Sequence, residues 1–217
     1  MKKFELTNEF VTNMFGTKLF RIRALVEFGD VEAGELGGYV EKESNLGHDD
    51  NAWVYGDAQV SGDALVYDNA RVYGDAQVSG DARVYDNARV YGDAWVYGDA
   101  WVYGNALVCG NARVYDNARV YGDAWVYGNA RVCGDALVCG DARVCGNGDY
   151  AYAHGFGSVN RTTTFFRLKD GGVGVRCGCF YGTLAQFRDK IRETHGETKK
   201  AQEYLMLADL MKLRFEK

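Results

Sequence analysis

The 217-residue sequence contains no proline, where about 11 are expected at average usage. Collagen and proline-rich linkers are excluded by that absence. No run of about 20 apolar residues occurs, so no helix spans a membrane. The opening Met1-Lys2-Lys3-Phe4-Glu5 lacks the apolar stretch of a secretory signal, and a cytoplasmic protein is expected. Histidine is scarce, with three in the chain, and lysine is missing from residues 51–146. Glycine and tyrosine, in contrast, are abundant at 28 and 15. Aromatics at 14% and a net charge of only −5 argue against disorder.

Charge is unevenly placed. Residues 1–50 carry 6 basic and 10 acidic side chains, residues 51–146 carry 7 Arg and 12 Asp, and residues 147–217 carry 12 basic and 8 acidic. An acidic body with a mildly basic tail does not suit duplex nucleic acid, which requires clustered positive charge. It leaves room for a local anion site in the tail.

From Asn51 to Gly146 the chain is sixteen uninterrupted hexads of the form (Asp/Asn)-Ala-x-Val-y-(Gly/Asp). Ala and Val occur in every one, two residues apart, so both face the same side of an extended strand. The x and y residues face the other side. A turn pair closes each hexad, which breaks any helix. Strands this short bury little as a meander but pair well as stacked coils. Asn69 follows Asn51, Gln77 follows Gln59 and Asp86 follows Asp68 at a spacing of 18 residues. Three hexads therefore make one turn of a triangular prism with an Ala/Val interior. Proline is excluded because the inter-coil ladder uses the backbone N–H groups.

These hexads resemble the hexapeptide-repeat, left-handed parallel β-helix family. The Asn-Ala-x-Val-x-Gly style is similar to proteins of bacteria and their phages, many described as acyltransferases. The left hand is implied by the resemblance alone, since parallel crossovers ordinarily favour the right. The resemblance implies a homotrimer. One departure is marked: the y position, usually small in the family, is Tyr ten times, Cys four times and Ser twice.

Sorted by face, the outward residues form three ladders. Face one carries Trp53, Arg71, Arg89, Leu107, Trp125 and Arg143 at x. Face two carries Gln59, Gln77, Trp95, Arg113 and Arg131. Face three carries Leu65, Arg83, Trp101, Arg119 and Leu137, beside Tyr67, Tyr85, Tyr103 and Tyr121. Such ladders stabilise themselves by stacking and by Arg lying over rings. They are also the residue types of interface hot spots. All four Trp are expected to face outward, uncovered in a monomer. Self-association through face three or face one is expected, with Trp53, Trp95, Trp101, Trp125, Leu65, Leu137, Tyr85, Tyr103 and Tyr121 as the interface candidates.

Cys109 and Cys145 share face one but lie two coils apart, too far for a disulfide. Free thiols suit a reducing compartment. Cys177-Gly178-Cys179 is a weak metal signal, and no metal or cofactor is expected. Acyltransferases of the resembled family use a His base and bind acyl-CoA along the prism. Here no His lies in the hexads; His48 and His154 flank them. They are the only base candidates for that activity, and end-cap roles fit their positions better.

Residues 1–50 read as an N-terminal cap with an irregular first coil, residues 51–158 as the β-helix, and residues 159–217 as a small ββαα domain. Thr162–Lys169 and Val173–Phe180 form a hairpin across Asp170-Gly171-Gly172. Thr183-Leu184-Ala185-Gln186 opens a helix as a capping box, His195-Gly196 closes it, and Thr198 caps a second. Arg161, Arg167, Lys169, Arg176, Arg188 and Arg192 are the anion-site candidates, with Arg176 placed beside Phe180. The expected fold is thus mainly β: a triangular parallel β-helix with an N-terminal cap and a small α+β domain. The expected function is non-catalytic binding or scaffolding. In the phage setting implied by the resemblance, that becomes an anti-defence protein that binds a host immune protein or sequesters a nucleotide messenger. A CoA-dependent acyltransferase and a self-assembling structural protein are the alternatives.

Overall fold

The computed structural model describes residues 2–216. Strands β1 (Phe4–Thr12), β2 (Lys18–Ala24) and β3 (Leu36–Val40) open the chain. Sixteen two-residue strands follow, one per hexad, from β4 (Trp53–Val54) to β19 (Arg143–Val144). The tail comprises β20 (Tyr150–Phe156), β21 (Arg161–Arg167), β22 (Val173–Cys177), β23 (Phe180–Thr183), α1 (Leu184–His195) and α2 (Lys199–Phe215).

Each hexad strand pairs in parallel with its equivalents 18 residues before and after, as in Arg71↔Arg89 and Leu107↔Trp125. The result is a β-solenoid with three strand columns. The ladder is carried by the x and y amides: Arg71 N–H donates to Ala88 O and Tyr73 N–H to Val90 O, both at 3.0 Å. Every hexad Ala and Val is buried. Burial of these apolar side chains on all three inner faces drives the coil to close.

Corners demand left-handed backbone. Gly80, at φ +71°, would place a Cβ 2.9 Å from Gly98 N of the next coil. Asp68, Asp86 and Asp116 take the same conformation at φ +57°. Asp is among the few side chains that tolerate this conformation, and here its carboxylate also ties one coil to the next: Asp86 Oδ2 accepts from Gly104 N–H at 3.0 Å and Asp116 Oδ2 from Gly134 N–H at 3.1 Å.

The N-terminal end is sealed by the β1–β2 hairpin and β3. β3 pairs with β2 in antiparallel and with β5 (Gln59–Val60) in parallel, joining cap to solenoid. Phe4, Ile22, Val31 and Leu46 plug the opening. Lys3 lies buried over the Phe28 ring and donates to Ala52 O at 2.9 Å. Burial pushes its ammonium down to about 8, against the pull of Asp50 and Asp49.

The C-terminal end departs from expectation. β20 belongs to the tail, pairing antiparallel with β21 in a four-stranded sheet ordered β20-β21-β22-β23. The tail is therefore ββββαα, and its sheet begins at Tyr150 rather than after residue 158. The cause is local: after Gly146 the Ala/Val alternation stops, and no further coil can close. The expected hairpin, capping box and helix ends are present, with Thr183 Oγ1 accepting from Gln186 N–H. Adjacent Phe165 and Phe166, both buried, point to opposite faces of the sheet. Phe166 closes the solenoid core, whereas Phe165 packs with Phe187, Ile191 and Tyr204 in a second core under the helices. No described helix is long and apolar enough to cross a membrane.

Candidate functional site

The solenoid sets its outer side chains at the inter-strand spacing, so identical residues one turn apart must stack. On face three, Tyr67, Tyr85, Tyr103 and Tyr121 form a continuous column with successive ring centroids 4.9 Å apart. Beside it, Trp101 is sandwiched between the guanidinium groups of Arg83 and Arg119, at 5.1 and 4.6 Å. Burial, with the neighbouring Tyr103 and Tyr67 rings, pushes the Tyr85 phenol up to about 12. Leu65 and Leu137 are half-buried at the two ends of the ladder.

Face two carries a shorter version: Tyr97 stacks on Tyr115 at 5.0 Å and Arg113 covers Trp95 at 4.9 Å. On face one, Tyr73 stacks on Tyr91 at 4.9 Å, and Arg143 covers Trp125 at 4.3 Å. Trp125 remains 43% exposed. Trp53 corrects the expectation that every Trp is uncovered. It points away from the prism axis, but Phe4 and Phe28 of the cap pack edge-on against it and it is wholly buried. It is a cap-core residue, not an interface residue. Only the knowledge that the cap folds back over the first coil of face one could have shown this.

The two histidines stand at opposite ends of the solenoid. His48 stacks on Phe4 at 4.5 Å; its Nδ1 accepts from Lys3 N–H, and Nε2 meets Glu43 at 2.9 Å. Both ring nitrogens are thus engaged within the cap. His154 Nδ1 lies 2.8 Å from Thr162 Oγ1 and 4.0 Å from Asp135. Both partners approach one nitrogen, so no carboxylate orients the ring from the side opposite a substrate.

The anion candidates do not form one cluster. Arg188 pairs with Asp209 at 2.5 Å and Arg192 with Asp189 at 3.4 Å, which neutralises both. Arg161 lines a 260 Å³ cavity over Phe180, Phe187 and Ile191, together with Lys190 and His195. Arg176 is not beside Phe180. It pairs across the ladder with Tyr181, whereas Phe180 lies opposite Cys177. Its field acts on Tyr103, Tyr121 and Cys139 of face three, and its Nε is buried without a hydrogen-bond partner. Arg167 and Lys169 line a larger cleft where tail meets solenoid, and there Arg143 joins them. No sequence signal ties Arg143 to them, because it belongs to a hexad 24 residues upstream of Arg167. All six cysteines are free.

A family model described as YdcK beta solenoid repeat matches residues 58–74, 64–80, 76–88, 82–98, 112–128 and 124–140. These stretches fall wholly within the hexads, so the repeats are similar to those β-solenoid repeats. No curated protein matches the chain.

Proposed function

We propose that this β-solenoid protein is a non-catalytic, oligomeric binding protein that uses its prism as a rigid display surface. The observation that carries this reading is the face-three ladder. Four Tyr rings and one Trp are fixed by stacking and by two Arg before any partner arrives. Pre-ordered aromatic and Arg side chains lose little conformational freedom on association, which is what interface hot spots require. Face three associates with further copies, giving a homotrimer, and the remaining aromatic–Arg ladders engage a protein partner. In the phage setting implied by the repeat style, that partner is a host immune protein.

Light scattering of the purified chain tests the first step. A mass three times 24.1 kDa is expected, falling to the monomer in a Trp101→Glu, Arg119→Glu double variant. A monomeric wild type at micromolar concentration rejects it. A second reading, sequestration of a nucleotide messenger, is favoured by one observation: Arg143, Arg167 and Lys169 line a single cleft.

A further inference from the structure

The cleft between the last coil and the tail measures 590 Å³ and is lined by Tyr127, Arg143, Asp149, Arg167, Lys169 and Phe215, among others. Its two guanidinium groups are held by carbonyls rather than by carboxylates. Arg143 Nη1 donates to Asp123 O at 2.9 Å and Ala142 O at 2.8 Å. Arg167 Nη1 donates to Gly171 O and Nη2 to Phe215 O, both at 3.0 Å. Each is also set against a ring, Arg143 over Trp125 at 4.3 Å and Arg167 over Phe215 at 5.1 Å. Carbonyls and rings fix a guanidinium without cancelling its charge, and each group keeps further N–H donors for a ligand.

The charge balance is uneven. None of the three cations enters an ion pair among the described residues, in contrast to Arg188, Lys190 and Arg192. Among the described residues one carboxylate lines the cleft, Asp149, whose Oδ2 accepts the Cys145 and Gly146 N–H groups at 3.0 and 3.1 Å. Two half-buried guanidiniums and an exposed ammonium therefore line the cleft with one carboxylate, while Lys169 also borders Asp141 and Asp170 in the adjoining cavity. The lining of this cleft is net positive, and a dianion completes the balance.

We propose that this junction cleft binds the phosphate group of a small phosphate ester, with Arg143 and Arg167 as the fixed fork and Lys169 as the mobile third donor. Half-buried Tyr127 supplies an aromatic wall for the organic part. The inference deepens the nucleotide reading above and rests on it only for the identity of that organic part. Because Arg143 comes from the solenoid and Arg167 and Lys169 from the tail, the site exists only when the two are joined.

Isothermal calorimetry on the full chain tests it, with inorganic phosphate, pyrophosphate and AMP as probes. Saturable one-site binding of phosphate is expected, weakened at least about tenfold by Lys169→Glu and by Arg143→Gln. Lys169 is exposed, so its variant retains the fold; Lys190→Glu, in the other tail cavity, leaves binding unchanged. Absence of saturable binding for all three probes at about 5 mM, or binding by both cleft variants as tight as by the wild type, overturns the proposal. Phosphate binding with no gain for AMP keeps the cleft as a phosphate site and rejects the nucleotide reading. Neither result bears on the face-three interface, which light scattering tests separately.

Discussion

The rings of Tyr85 and Tyr103 lie 4.9 Å apart and within 1° of parallel. No side-chain preference produces that geometry by itself. The two residues occupy the same hexad position one turn apart, and the ladder between Tyr85 N–H and Val102 O at 3.1 Å fixes their separation. The stack therefore reports the backbone register, and disturbing it reads out the solenoid.

The stack makes stability pH-dependent. The Tyr85 phenol is pushed up to about 12, chiefly by burial. Tyr55 is raised to about 12 by burial and by Asp30, and Tyr91 to about 12 by hydrogen bonding with the Cys109 thiol and by burial. A phenol raised in the folded state stabilises fully below its unfolded value near 10, and that contribution is lost as pH rises toward 12. Lys3 acts in the opposite sense. Its pKa is lowered to about 8, so the unfolded chain holds the extra proton and stability rises between about 8 and 10.5. Circular dichroism across alkaline pH should show a slight gain, then a steep loss above about 10. Tyr85→Phe should make that loss shallower. An unchanged alkaline transition in the variant contradicts this account.

Trp53→Ala should cost about 3–5 kcal/mol, as large aromatic deletions from a sealed core do. The wholly buried ring meets both Phe4 and Phe28. Thermal unfolding measures it. Trp125→Ala, on the same face but 43% exposed, should cost much less. Comparable losses for the two would show that the cap does not cover Trp53.

At the corners, Asp86→Gly and Asp86→Ala separate conformation from hydrogen bonding. Both lose the bond from Gly104 N–H. Only Ala retains a Cβ at φ +57°, so it should be about 1 kcal/mol less stable than Gly. Gly80→Ala should cost more than either, since its Cβ meets Gly98 N at 2.9 Å as well as the left-handed backbone. Urea denaturation of the three variants ranks them.

Phe165→Ala and Phe166→Ala should act on different parts of the protein. Phe165 belongs to the core under α1 and α2, Phe166 to the solenoid core. Hydrogen exchange should show α1 and α2 loosening in the first variant, with the hexad amides still protected. In the second, exchange should rise in the last coil, around Ala142 and Val144. Identical exchange maps would mean that the two cores are one cooperative unit.

Much of this architecture is legible in the sequence because it is local. A six-residue alternation fixes which side chains face inward, and an 18-residue recurrence fixes how coils stack. The Thr183 and Thr198 caps, the Gly196 stop and the Asp170-Gly171-Gly172 turn are likewise short-range signals, and all are found where the residues place them. The stacked Tyr columns follow from the same recurrence.

The tertiary structure alone decided what happens at the two open ends, where the repeat gives no instruction. A solenoid end exposes apolar interior, and whichever flanking segment can fold back covers it. At one end that buried Trp53, a residue whose hexad position matches exposed Trp125. At the other it drew Tyr150–Phe156 into the tail sheet and turned Phe166 inward. It also brought Arg143 into one cleft with Arg167 and Lys169 and paired Arg188 with Asp209. These outcomes depend on docking between segments distant in the chain, which no spacing rule encodes.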